Sequence, residues 1–107
     1  MNKKKHEHGL ALAHAAAKMS NVASAKHGCV VLGPRDIVLA AASNRRVKRR
    51  EPGLFTEHAE EAALRRVRQK DRALIARMYV TRANGNGFSM PCWRCRMRTP
   101  ATVHSTR

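Results

Sequence analysis

The sequence predicts an α/β fold in which a mixed sheet is covered by helices on both faces. Two short β-prone segments flank residues 33–36, and both are apolar at consecutive positions, which is typical of strands buried on both faces. Apolar residues at helical spacing occur both before and after these strands. The chain of 107 residues has the size of one domain, and many of its apolar residues are alanines, so its core is thin.

The predicted elements follow the order α-β-β-α-β-α. A first helix is predicted over residues 9–24, and two strands at 29–32 and 37–40 form a hairpin around Pro34 and Asp36. A polar loop at residues 43–52 comes next. Thr56 is the predicted N-cap of a second helix that ends near residue 69, and a third strand spans 75–82. Pro91 begins a short last helix, and residues 102–106 can add a short fourth strand.

The chain is strongly basic, with 22 Lys and Arg against 7 Asp and Glu and a net charge of +15. Residues 1–8 are predicted to be a basic tail before a single domain at 9–107. The segment after this tail has the outline of a secretory signal, but His14 and Lys18 interrupt its apolar part. No apolar stretch has the length of a transmembrane helix. We therefore expect an intracellular, cytoplasmic protein with no membrane partner.

Two short motifs contain candidate metal ligands. The sequence reads HAE at residues 58–60 and PCWRC at residues 91–95. One imidazole and two thiolates suit zinc, and three protein ligands leave the fourth tetrahedral position to water, whose pKa zinc lowers to about 7. Glu60 is the candidate carboxylate that accepts and returns the proton. Because residues i and i+2 lie on different helix faces, Glu60 reaches the metal only if His58 lies at the N-terminal edge of the helix.

Other interpretations of these residues remain open. Cys92 and Cys95 alone also have the spacing of a redox dithiol. A purely structural zinc would take Cys29 or His27 as its fourth ligand. A basic protein that binds nucleic acid without catalysis is a further alternative. The three cysteines are an odd number, which does not suggest a disulfide framework.

Together the two motifs resemble the H-x-E … P-C-x-x-C pattern of the zinc-dependent cytidine/deoxycytidylate deaminase superfamily. The resemblance extends from the first helix to Cys95. It implies a three-layer α-β-α, cytidine-deaminase-like mixed sheet. Only 12 residues follow Cys95, so we expect a C-terminally minimal form with three to four strands.

The resemblance also implies a role for each motif residue. His58, Cys92 and Cys95 would hold Zn²⁺, and Glu60 would move protons while hydroxide attacks the amino-bearing ring carbon of cytosine and ammonia leaves. Substrate contacts are implied at three further positions, which are Asn44, Ala59 and Ser89.

Basic residues cluster beside these positions and are predicted to form a phosphate- or nucleic-acid-binding rim: Arg45, Arg46, Lys48, Arg49, Arg50 and Arg94. A free nucleoside does not require such a rim, so we expect a nucleotide or single-stranded nucleic acid as substrate. Adenosine deaminases that act on nucleic acid share both motifs, so adenine is the alternative base. The thin core favours a homo-oligomer.

Overall fold

Two α-helices and six strands form the structure in the described part of the chain. The computed structural model describes residues 3–22, 25–48, 54–84 and 102–105. The elements are α1 (Lys3–Ala17), β1 (His27–Leu32), β2 (Val38–Ser43), β3 (Arg45–Lys48), β4 (Leu54–Glu57), α2 (Ala59–Arg66), β5 (Arg77–Arg82) and β6 (Thr102–Ser105). Two 3-10 helices, Pro34–Asp36 and Gln69–Leu74, precede β2 and β5.

The main sheet has four strands in the order β2-β1-β5-β6. Strand β1 pairs antiparallel with both β2 and β5, whereas β6 pairs parallel with β5. The predicted mixed sheet, the β1–β2 hairpin and the fourth strand near the C-terminus are therefore confirmed. The turn of the hairpin contains Arg35 and Asp36 with φ of 58° and 61°, and Asp36 forms an ion pair with Arg77 of β5.

Helices cover both faces of this sheet, which confirms the three-layer prediction. On one face, Val30 and Leu32 of β1 pack with Ala13 of α1. On the other face, Cys29 and Val31 belong to the cluster formed with the alanines of α2, which are Ala59, Ala62 and Ala63. Alternate residues of β1 therefore contact opposite helices, as the pleat of a strand requires. None of the helices in the described segments is long and apolar enough to cross a bilayer.

Helix α1 lies close to β1 because Gly28 has no side chain. A Cβ atom at Gly28 would overlap the carbonyl oxygen of Ala13 and the backbone nitrogen of Ala17, and it would lie 2.7 Å from the Ala17 Cα. These are backbone atoms of a helix, so relieving the overlap requires moving α1 as a unit.

We expect Gly28→Ala to lower the melting temperature strongly, because overpacking of this kind costs ~1–3 kcal/mol or more. Gly33→Ala is the matched control, since its nearest contact would be a flexible side-chain atom, Leu39 Cδ1 at 3.2 Å. Thermal denaturation followed by circular dichroism measures both. A Gly28→Ala protein that melts at the wild-type temperature would show that α1 accommodates the methyl group without cost.

Several boundaries differ from the prediction. Helix α1 begins at Lys3 rather than at residue 9, so it includes residues 3–8 of the predicted basic tail, and it ends at Ala17 rather than at 24. The early start is supported by a hydrogen bond of 2.9 Å between His6 Nδ1 and the hydroxyl of Tyr79. Strand β2 extends to Ser43, past the predicted end at 40.

The stretch predicted as a polar loop contains part of a second hairpin, formed by β3 and β4. The residues of β3 are mostly charged and lack the alternation of apolar and polar residues that identifies a strand in sequence. Thr56 lies in β4 and is therefore not a helix N-cap; α2 begins at Ala59 with His58 as its N-cap and ends at Arg66 rather than near 69. The helix predicted to begin at Pro91 lies outside the described residues.

Candidate active site

The β3–β4 hairpin brings the end of β2 close to the beginning of α2. Arg45 pairs with Glu57 at the open end of this hairpin. Asn44 directly precedes Arg45, and His58 directly follows Glu57. Because directly opposed residues in an antiparallel ladder have Cα atoms about 5 Å apart, two predicted site residues that are distant in sequence lie on adjacent backbone segments.

Glu60 is a buried carboxylate in the first turn of α2. Only 5% of its surface is exposed, and the preceding Ala59 is 1% exposed. The N–H groups and dipole at a helix N-terminus favour a negative charge there. A buried acidic side chain at such a position is uncommon unless it has a partner or a chemical role.

His58 is not part of the helix, although it precedes Glu60 by only two residues. It is the N-cap, with extended backbone angles of φ −70° and ψ 149°. Its side chain is 48% exposed, and Nδ1 lies 3.4 Å from Oε1 of Glu61. A carboxylate beside one ring nitrogen orients the imidazole. The expectation that His58 lies at the N-terminal edge of the helix is therefore confirmed.

The described residues at the start of α2 include one of the three candidate zinc ligands. His58 offers an imidazole nitrogen, and Glu60 is a carboxylate beside it. Within the described segments no three metal-ligating side chains come together, and Cys92 and Cys95 lie outside those segments. Cys29, the alternative fourth ligand, is fully buried in the apolar cluster beneath α2.

The fold and the HAE motif are those of a known protein family. A sequence model described as the zinc-binding region of cytidine and deoxycytidylate deaminases matches residues 3–103. The chain belongs to this deaminase family. It is accordingly a zinc-dependent hydrolytic deaminase, and the resemblance stated from its two motifs is confirmed.

Solved structures of deaminases share the fold. Cytidine deaminase from Burkholderia pseudomallei superposes with a TM-score of 0.66 at 19% identity, covering 95% of this chain and 86% of that one. Cytidine deaminase from Mycobacterium tuberculosis gives 0.61 at 20% identity, covering 87% and 74%. The dCMP deaminase of cyanophage S-TIM5 gives 0.63 at 16% identity, covering 99% and 100%. No curated protein matches the sequence.

Asn44 of the deaminase is buried and holds the backbone before β1 in place. Its Oδ1 accepts hydrogen bonds from the Ser20 hydroxyl at 2.6 Å and from the His27 N–H at 2.9 Å. Its Nδ2 donates to the Ala25 carbonyl at 2.7 Å. The side chain predicted to bind substrate therefore also fixes the loop that connects α1 to β1.

We expect Asn44→Ala to lower the free energy of unfolding by at least ~1–3 kcal/mol, because buried groups lose their hydrogen-bond partners. Asn21→Ala is the control, since exposed Asn21 accepts one hydrogen bond, from the Arg46 N–H, that water can replace. Urea unfolding of the two variants measures the difference. An Asn44 variant as stable as the wild type, with weaker substrate binding, would assign the residue to the substrate alone.

His27 lies near the site, and its sequence context suggests only a role as a ligand of a structural zinc. Burial lowers the pKa of its imidazole from the usual value, and the charge of Arg82 lowers it further, while the charge of Glu60 opposes both. These influences favour the neutral imidazole. Its signal in the sequence is its position two residues before Cys29, which places it on the face of β1 that α2 covers.

Charged residues next to the site are connected through Glu57. Its Oε1 lies 3.5 Å from Nε of Arg45 and 2.9 Å from Nη2 of Arg65. The hydrogen bond to Glu57 raises the pKa of Arg65. Glu57 thus connects the hairpin to the exposed face of α2.

The predicted substrate and rim residues are only partly described. Arg45 and Arg46 are exposed, and Lys48 ends β3. The remaining predicted residues lie outside the described part of the chain: Arg49, Arg50, Ser89 and Arg94. A cavity of about 440 Å³ lies beside β2, lined among others by Asn21, Ser43, Arg45 and Arg66; neither His58 nor Glu60 lines it.

Proposed function

We propose that this deaminase converts a cytosine base to uracil, with water consumed and ammonia released, in a substrate that carries phosphate. The substrate would be a nucleotide or a single-stranded nucleic acid. The observation that carries this proposal is the buried carboxylate of Glu60 in the first turn of α2, two residues after the N-cap His58. Acidic side chains are seldom this buried without a partner or a chemical role.

His58, Cys92 and Cys95 would hold the zinc ion, which when bound supplies an activated water molecule. Glu60 would accept a proton from water and deliver it to the ring nitrogen. It would then take the proton of the hydroxyl group newly added to the ring carbon and pass it to the departing amine. Because Glu60 is 5% exposed, bulk solvent has little access to it, so a proton taken from the reacting water can be passed to the substrate. Asn44, Ala59 and Ser89 would contact the substrate.

The charge distribution supports a substrate with phosphate groups. The chain has a net charge of +15, and Arg45 and Arg46 are exposed directly after Asn44. The cavity beside β2 includes Arg45 and Arg66 in its lining. Cations near a pocket attract phosphate and raise the rate of encounter. Self-association and a role in nucleotide metabolism or nucleic acid editing stay predictions.

The test is ammonia release by the zinc-loaded protein from cytidine, deoxycytidylate, single-stranded DNA and single-stranded RNA at two ionic strengths. We expect turnover of at least one phosphate-bearing substrate, with an apparent affinity that falls as salt rises. Efficient, salt-independent turnover of cytidine alone would contradict the phosphate requirement. Absence of ammonia from every substrate would contradict the choice of cytosine.

A further inference from the structure

His27 and Glu60 lie at the same end of the sheet and on the same side of it. His27 begins β1, Arg82 ends β5, and the two residues are opposite each other in the antiparallel ladder. Two positions further in, Cys29 and Val80 both pack in the cluster beneath α2. Because side chains alternate along a strand, His27 and Arg82 point to the face that carries the first turn of α2.

The imidazole of His27 is within electrostatic range of the site. The charges of both Glu60 and His58 act on it, and Glu60 has the larger effect of the two. His27 is therefore close to both motif residues.

The backbone of His27 is fixed by Asn44. The His27 N–H donates to Asn44 Oδ1 at 2.9 Å, and the His27 carbonyl accepts from the Asn44 N–H at 3.0 Å. On the opposite strand, Arg82 Nε donates to Asn84 Oδ1 at 3.2 Å, and the same oxygen accepts from the Lys26 N–H at 2.9 Å. The start of β1 is therefore held from both neighbouring strands, so the backbone from which the imidazole projects has a defined position.

Cytosine and adenine differ in the group next to the ring nitrogen that Glu60 would protonate. In cytosine, the carbon beside that nitrogen, on the side away from the amine, carries a carbonyl oxygen. In adenine, the corresponding carbon carries only hydrogen. A hydrogen-bond donor beside Glu60 therefore finds an acceptor on cytosine and none on adenine. A site that forms a hydrogen bond with one substrate discriminates strongly against an analogue that lacks the bonding group. An imidazole keeps at least one N–H donor in either protonation state.

We propose that His27 is a specificity-determining residue that donates a hydrogen bond to the 2-oxo group of a pyrimidine base, so that the deaminase accepts cytosine and rejects adenine. The inference rests on the proposed function and deepens it by naming the base. It also gives a role to a side chain that neither motif contains.

The test compares His27→Leu, which removes the donor, with His27→Gln, which restores one. Initial rates are measured with matched nucleotides that carry cytosine, adenine, or a 4-amino ring without the 2-oxo group. For cytosine we expect His27→Leu to lower kcat/KM by roughly 10- to 100-fold, mainly through KM. His27→Gln should recover part of this loss. The analogue without the 2-oxo group should be unaffected, and zinc content should not change. His8→Leu, an exposed histidine of α1, is the control.

Equal losses on cytosine and on the analogue without the 2-oxo group would overturn the proposal, because a merely structural role predicts them. A wild-type preference for adenine would overturn it as well. If the wild-type protein releases no ammonia from any base, the proposed function has failed, and the role of His27 is then decided by binding. In calorimetry, weaker binding of deoxycytidylate to His27→Leu, with unchanged binding of the analogue, supports the contact. Unchanged binding of both overturns it.

Discussion

Replacement of Glu60 by glutamine is expected to lower kcat for deamination by ~10³-fold while the zinc content stays at that of the wild type. Glutamine has nearly the same shape but can neither accept the proton from water nor deliver it to the base. Glu60 is not among the proposed ligands, so the metal should remain bound. The buried position, with 5% exposure, tolerates a neutral amide at least as well as a charge.

The Glu60→Gln experiment combines ammonia release at steady state with elemental analysis for zinc. Glu7→Gln, an exposed acid on α1, is the control and should keep wild-type kinetics. Full activity of the Glu60 variant would remove it from the proton transfers. Loss of zinc from this variant would instead make Glu60 a ligand, or a support for one.

Replacement of His58 by alanine should abolish stoichiometric zinc binding and, with it, detectable deamination. The side chain of His58 forms no capping hydrogen bond with α2 and is 48% exposed. Its removal should therefore cost the metal-free protein little stability. Zinc that binds only the folded protein stabilises it by an amount that grows with the logarithm of zinc concentration over Kd, reaching ~4 kcal/mol at a thousandfold excess. We expect zinc to raise the melting temperature of the wild type and to leave that of His58→Ala unchanged.

Melting temperatures with and without zinc, together with zinc content, measure this difference. Cys92→Ala should behave in the same way, and His8→Ala should respond to zinc like the wild type. A His58→Ala protein that keeps one zinc per chain would contradict the assignment of His58. A large loss of stability in the metal-free variant would show that His58 supports the fold independently of the metal.

The sequence predicts best those parts of the fold that depend on local apolar patterning. The β1–β2 hairpin follows from two apolar runs on either side of Pro34, and the two helix layers follow from alanine-rich helical faces. The β3–β4 hairpin escapes prediction because Arg45–Lys48 consists mostly of charged residues, whose strand conformation is set by pairing and not by propensity. The start of α1 at Lys3 depends on Tyr79, a contact across 73 residues.

In the candidate site, too, local motifs can be predicted from the sequence, whereas contacts between distant residues cannot. Glu60 and His58 follow from a short motif, and His58 lies at the N-cap of α2, as the proposed zinc site requires. The place of His27 depends on its register with Arg82, and the bonds of Asn44 depend on Ser20 and Ala25; neither relation is visible from local spacing. The sequence therefore identifies chemically distinctive residues but not the neighbours that orient them.

The Arg45–Glu57 pair lies at the open end of the β3–β4 hairpin, next to Asn44 and His58, and the Lys48–Leu54 pair lies at the other end. A change of length beyond Lys48 and Leu54 is therefore remote from the site. Extra residues added beyond Lys48 and Leu54 in matched pairs would lengthen the ribbon and leave Asn44 and His58 where they are. Peptide insertions between Lys48 and Leu54 would thus change contacts with the substrate far from the reacting base and leave the backbone at Asn44 and His58 in place. Such insertions make the tip a natural position for engineering new recognition into a deaminase of this size.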